Sequence, residues 1–209
     1  MTPLSRDTTE LLRDAGWTDG CRADVRPYVK ALEARGFEVF DAARRFLEAF
    51  GGLFVFDDPK ERYLSSAVGT AMRKRHAIER RLGRWAAKVW EWFWPVEYKP
   101  HEALISFDPT LDTIYVHHIR ADYAPRLEKK VCYVGLYGSS NQVLMLDETG
   151  ALYMGFKEQM WKVADDAPEA IDRLIRRDVN DLEEFAPLPD EYRDATDATD
   201  AGEDEPSPS

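Results

Sequence analysis

Several short stretches hold residue types that could do chemistry. His117 and His118 stand side by side in "TIYVHHIRA", where two imidazoles could bind a metal or move a proton. The run reads as a β-strand, and on a strand neighbouring side chains point to opposite faces. The pair could not then share a metal, and two half-exposed strand histidines are the plainer expectation. Ser139 and Ser140, in "YVGLYGSSNQ", lack the G-x-S-x-G frame of a nucleophile elbow. The glycines there have no lysine to meet a phosphate, so the stretch is expected to join two strands. Cys132 lies within the apolar run "VCYVGLY" and reads as a core thiol. "LDETG" sets two carboxylates beside a glycine, as ordinary turns do.

Gly51-Gly52 in "RRFLEAFGGLFVF" poses the sharper choice between a ligand-gripping loop and a joint. Phosphate loops follow a strand and open a helix. Here the order is reversed: Ala43, Phe46, Leu47 and Phe50 recur at helical spacing, the glycines come next, and "LFVF" then reads as a strand. Glycine adopts a positive φ without penalty and so commonly ends a helix. The pair is expected to be structural.

The elements that must carry these residues are readable around them. Asp7 with Glu10 three residues on resembles a capping box for a first helix ended by Gly16. A second helix runs from a cap at Asp24, with Pro27 in its first turn, to Gly36. A third starts near Asp41. From Ala103 the period shifts: "ALISF", "TIYVHHIRA" and "VCYVGLY" read as strands, "QVLMLDETGALYMGF" as a hairpin turning at Glu148-Thr149-Gly150, and "MWKVAD" as another extended piece. Asp166 caps a closing helix with Pro168 in its first turn. Helices segregated from strands indicate an α+β fold with N-terminal helices, a mainly antiparallel twisted sheet and a closing C-terminal helix.

Between the first strands lies "AMRKRHAIERRLGRWAAKVWEWFW". At about 100° per residue, Ile78, Leu82, Trp85, Val89, Trp92 and Phe93 form one stripe, with Arg73, Arg80, Arg81, Arg84 and Lys88 opposite. This is expected to be an inserted basic amphipathic helix. Its stripe could simply pack on the sheet. Trp90 and Trp94 fall outside the stripe and, with Arg84 and Lys88, are candidate contacts for a partner protein, since Trp and Arg are common interface anchors. A basic face also attracts anionic lipid, whereas one such face is weak support for nucleic acid.

The net charge of −11 is unevenly placed: residues 183–209 hold ten acids and one base, Arg193, leaving the body nearly neutral. Glu183 and Glu184 open this segment, which composition reads as a disordered acidic tail after a single domain, residues 1–182 with an insert at about 60–101. Such a tail could serve only solubility, or could steer a basic partner. Cys21 and Cys132 fit no CxxC or zinc spacing. "MTPLSRDTTELL" has no apolar core of signal-peptide length, and no apolar run approaches the roughly 20 residues that span a bilayer. A cytoplasmic protein with reduced thiols and no cofactor or metal is expected.

The stretch "LLRDAGWTDGCRADVRPYVKALEARGFEVFDAARRFLEAFGGL" resembles the opening of the SUKH superfamily, in the third of its immunity-protein groups. The matching residues are Gly16-Trp17, Gly20, Arg22, Gly36-Phe37, Phe46-Leu47 and Phe50-Gly51-Gly52-Leu53. "VGLYGSSNQVLMLDETGALYM" and the helix near Ala170 to Leu174 are similar to the family's downstream half, whereas Lys60 to about His101 has no counterpart in its pattern. The resemblance implies a non-enzymatic antitoxin of a bacterial polymorphic-toxin system, cytoplasmic, occluding a cognate toxin that is often a nuclease or deaminase. Its matching residues read as structural, with Trp17 and Phe50 as core aromatics. Two rival expectations stand beside it: an intracellular adaptor or regulatory module of the same fold, and a peripheral membrane protein acting through the Trp-rich helix. Oligomeric state is left open.

Overall fold

The computed structural model describes residues 3–20, 22–56, 103–111, 116–138 and 142–186. The Trp-rich stretch, Cys21, Ser139, Ser140 and residues 187–209 lie outside them.

Among the described residues, three helices come first: α1 (Arg6–Asp14), α2 (Arg26–Ala34) and α3 (Asp41–Phe50). The cap of α1 is Ser5, not Asp7: the Ser5 hydroxyl accepts the Thr8 N–H at 3.3 Å. The reason lies far along the chain, where Asp172 accepts both the Ser5 N–H at 3.2 Å and the Thr8 hydroxyl at 2.5 Å, so the helix start is pinned by a tertiary partner. Val25 caps α2, with the Asp24 carboxylate one residue earlier accepting the Arg26 N–H at 3.2 Å, and Pro27 stands in the first turn. Gly16 and Gly36 come after α1 and α2 with φ of +91° and +77°.

The strands are β1 (Phe54–Val55), β2 (Ile105–Ser106), β3 (Val131–Tyr137), β4 (Gln142–Asp147), β5 (Leu152–Phe156), β6 (Gln159–Ala164) and β7 (Glu183–Glu184). They form one antiparallel sheet in sequence order. Every residue of β3 is buried, so its strand is covered on both faces and reads as a continuous apolar run. α3 lies against β3 and β4, and Phe46, Leu47 and Phe50 are all buried. Phe46 meets Phe107 edge-on, with ring centroids 5.3 Å apart. Each such side chain contributes about 1.5–3 kcal/mol by leaving water. The closing helix α6 (Ala167–Arg176) is capped by Asp166, which accepts the Glu169 N–H at 2.9 Å.

One expected strand is helical. Of "TIYVHHIRA", the described part runs through α4 (Val116–His118) into a π turn (Ile119–Tyr123) and then α5 (Ala124–Leu127). The local preference for strand yields to packing: Tyr123 is fully buried, its ring occupies the space a Cβ on Gly155 would need, and its hydroxyl donates to the Lys157 carbonyl at 2.5 Å. A π turn carries an extra residue per turn, which aims Tyr123 at β5.

Gly51 and Gly52 join α3 to β1. Gly52 has φ +77°, its N–H donates to the Phe107 carbonyl at 2.9 Å, and a Cβ there would lie 2.5 Å from the Tyr28 hydroxyl. A Cβ on Gly51 would run into the Leu47 carbonyl and sit 2.7 Å from the Tyr28 ring. The corner is a close approach of backbone to Tyr28, as a structural joint requires.

Candidate interaction surface

The acids that sequence reading placed at the head of a tail belong to the sheet. Glu183 and Glu184 form β7, with Glu183 opposite Lys162 and Glu184 opposite Trp161 in β6. Glutamate does not favour strands, so the segment depends on Phe185 and Arg126 to hold it in place. The Phe185 N–H donates to the Met160 carbonyl at 2.9 Å, and its ring meets Tyr153 edge-on at 6.0 Å. Arg126, whose side chain is only 3% exposed, donates to the Phe185 carbonyl at 2.7 Å, to the Glu158 carbonyl at 2.7 Å and to Asp122 at 3.2 Å. A buried guanidinium thus ties the end of β7 and the β5–β6 turn to the helical segment before β3.

β7 is the last strand in the order of the sheet, and both of its residues are exposed. The nearby cations are engaged elsewhere. Arg173 reaches Asp181 at 2.6 Å, Lys162 reaches Asp165 at 2.5 Å, and Arg126 serves the carbonyls and Asp122. Glu184 receives a contact from the Gln159 amide at 3.4 Å. Neither Glu183 nor Glu184 has an ion pair among the described residues. Lys162, the register partner of Glu183, offsets part of its charge, and the edge keeps a net negative charge centred on Glu184. Sequence reading singled out these two glutamates for their charge but missed Arg126 and Phe185. The signals available were Arg126 four residues after Asp122, and a lone aromatic in an otherwise acidic segment.

A concavity of about 520 Å³ lies where α1, the turn at Asp19-Gly20, α3 and the start of α6 meet. Trp17 lines it, half-buried and stacked on Phe50 at 6.4 Å, together with Arg22, Arg45 and Glu48. Arg22 pairs with Glu48 at 3.2 Å, so its charges are mixed. Trp17, expected as a core aromatic, is half-buried and packs against the core while its other side borders this groove, and Phe50 is buried. Leu53 is buried behind the glycine corner. Trp90, Trp94, Arg84 and Lys88 lie outside the described residues.

The remaining polar clusters are architectural. The Asp147 carboxylate, fully buried, accepts from Lys129 at 2.7 Å, from the Thr149 and Ala151 N–H groups at 2.9 and 3.0 Å, and from the Tyr153 hydroxyl at 3.1 Å. Burial pushes its carboxyl up, but these donors together outweigh that and hold it below the usual carboxylate range. Asp108 closes a similar turn on Thr110. Cys132 is a buried thiol, pushed up to about 12 by burial. His117 and His118 are not on opposite strand faces: their rings are 4.1 Å apart on the helical segment, and burial, with the neighbouring imidazole second, lowers His118. Among the described residues, no group of three or more His, Cys, Asp or Glu side chains is placed to hold a metal, and no helix is long and apolar enough to cross a membrane.

The SUKH-3 immunity protein family model matches residues 4–177, a span that brackets the Trp-rich segment and stops short of β7. No curated protein and no solved structure matches the chain. The chain belongs to the SUKH-3 immunity protein family.

Proposed function

We propose that this SUKH-3 family member acts in the cytoplasm as an antitoxin that binds a cognate toxin domain, a nuclease or deaminase, and blocks it by covering it. The observation that carries the reading is the family match over residues 4–177. The geometry supports the same direction. The buried carboxylates Asp147 and Asp108 close turns, Asp172 ties α1 to α6, and the apolar thiol is sealed in the core. The exposed chemistry is that of a binding surface: an acidic sheet edge and a groove bordered by an aromatic ring.

Inhibition by covering needs shape and charge fit, with no bond made or broken. A few aromatic or arginine anchors supply most of the affinity, and a charged rim speeds encounter. Glu183 and Glu184 are assigned to such a rim. Trp90, Trp94, Arg84 and Lys88 of the inserted segment are assigned as further contacts, the tryptophans as anchors. A toxin that acts on nucleic acid carries a basic active-site surface, which an acidic cover complements. Capture must outrun damage once a toxin enters the cell, so long-range attraction has value beyond final affinity.

The test is co-expression of the full chain with the toxin domain encoded beside it, read as growth rescue and as co-purification of the two proteins. Rescue with a stable complex is the expected result. Survival without any complex, or no rescue by the full chain, rejects the antitoxin reading.

A further inference from the structure

We infer that β7 is a docking edge that accepts an extended, lysine- or arginine-bearing segment of a partner protein as an added antiparallel or parallel strand. The inference deepens the antitoxin reading by naming how the partner is held, and it rests on that reading for the partner's identity. The register supplies the first argument. Phe185 donates to Met160, so Phe185 and Met160 form a hydrogen-bonded pair, and Glu184, the preceding residue, sits in the non-hydrogen-bonded position opposite Trp161. The N–H and C=O of Glu184 therefore point away from β6, toward the open side of the sheet. Glu183 and Glu184 are exposed, so among the described residues no other part of the chain covers this edge. An exposed edge with outward backbone groups is a template for another strand.

The second argument selects the occupant. A second copy of this chain adding its own β7 would set glutamates against glutamates, and like charges directly opposite destabilise a strand pair. Arg173, Lys162 and Arg126 make their close ion pairs elsewhere, and although Lys162 acts on its register partner Glu183 by charge, neither carboxylate has a direct ion pair among the described residues. A strand carrying Lys or Arg at alternate positions supplies one. The third argument is rigidity. Arg126 and the Phe185 ring fix the C-terminal end of the strand, so the edge is ordered before a partner arrives and less entropy is lost on docking. β7 lies beyond the residues matched by the family model, so this edge is a property of the present chain rather than of the matched family span.

The test uses the full chain and two short synthetic peptides with blocked ends, one alternating lysine with valine and the other glutamate with valine. Amide exchange is measured residue by residue by NMR at low salt. The lysine peptide is expected to slow exchange of the Glu184 N–H at least tenfold, and the glutamate peptide to leave it unchanged. The variant Glu184→Pro removes the outward N–H and the carboxylate with its Gln159 contact but keeps the bonds to β6; it should retain the wild-type melting temperature and lose peptide binding, whereas Glu184→Gln, which keeps the N–H, should retain weakened binding. The double variant Glu183→Lys, Glu184→Lys should reverse the peptide preference. No protection by either peptide overturns the inference, leaving the glutamates as groups that merely keep the edge solvated. Equal protection by both overturns the choice of a basic partner. Because the peptides are not the toxin, either result stands whether or not growth rescue succeeds.

Discussion

The Lys129 ammonium closes on the fully buried Asp147 carboxylate at 2.7 Å, capping the turn between β4 and β5 from outside. Lys129 is partly exposed and keeps its hydration, so the cost of Asp147→Ala falls on the Thr149 and Ala151 N–H groups and the Tyr153 hydroxyl, which lose their acceptor, and should be on the order of 3 kcal/mol. The sign of the pH effect is set by the lowered carboxyl. Stability from Asp147 is fully present above its unfolded value, near 3.8, and is lost as pH falls through the lower folded value. Urea unfolding of wild type and Asp147→Asn across acid pH checks this: the two curves should converge as pH drops, and a constant gap would contradict it.

Gly52 and Tyr28 should behave as a coupled pair. Gly52→Ala meets both a positive φ and the Tyr28 hydroxyl, for an expected loss of about 2 kcal/mol. Adding Tyr28→Phe removes the hydroxyl and should recover part of that loss, leaving the backbone strain. Strict additivity in a double-mutant cycle would mean that the contact is not what makes the corner glycine-specific.

His118 provides a second pH dependence of the same sign. Its lowered folded value, from burial and then from His117, means that the unfolded chain takes up protons first as pH falls through about 6.5. Stability should therefore decline from neutral toward mildly acidic pH, against the opposing pull of Asp122 and Glu158. His118→Gln should flatten that slope, as measured by thermal unfolding at several pH values; an unchanged slope assigns it elsewhere.

Cys132 should be inert while the protein is folded. In a Cys21→Ser variant it is the remaining thiol, and its burial with a value near 12 leaves almost no thiolate at neutral pH. An aromatic disulfide reagent should then react only as fast as the protein opens. Immediate stoichiometric reaction would show that the thiol is reachable in the native state.

Much of the architecture could be read from the residues because local signals agreed with the final contacts. Asp166 with Pro168 announced the closing helix, Asp147 to Gly150 announced a hairpin turn, and the glycines after Phe50 marked a helix end. The failures came where a distant partner decided the outcome. Ser5 rather than Asp7 caps α1 because Asp172, on the last helix, holds Ser5 and Thr8. The described part of the expected strand, from Val116 onward, is helical, with Tyr123 filling the space beside Gly155 on β5. Glu183 and Glu184 looked like solvent-exposed tail because nothing nearby in sequence reveals Arg126 beneath the Phe185 carbonyl. The acidic surface was thus found by composition, while its attachment to the sheet required the fold.

Val55 and Ile105 are register partners on adjacent strands, though the whole Trp-rich stretch lies between them in the chain. That stretch leaves and re-enters the sheet at neighbouring points, and the strands pair in simple chain order throughout. Closing a longer loop between fixed ends costs only about 0.6 kcal/mol for each doubling of its length. The scaffold can therefore exchange this module wholesale, shortening, lengthening or replacing it without rethreading any strand.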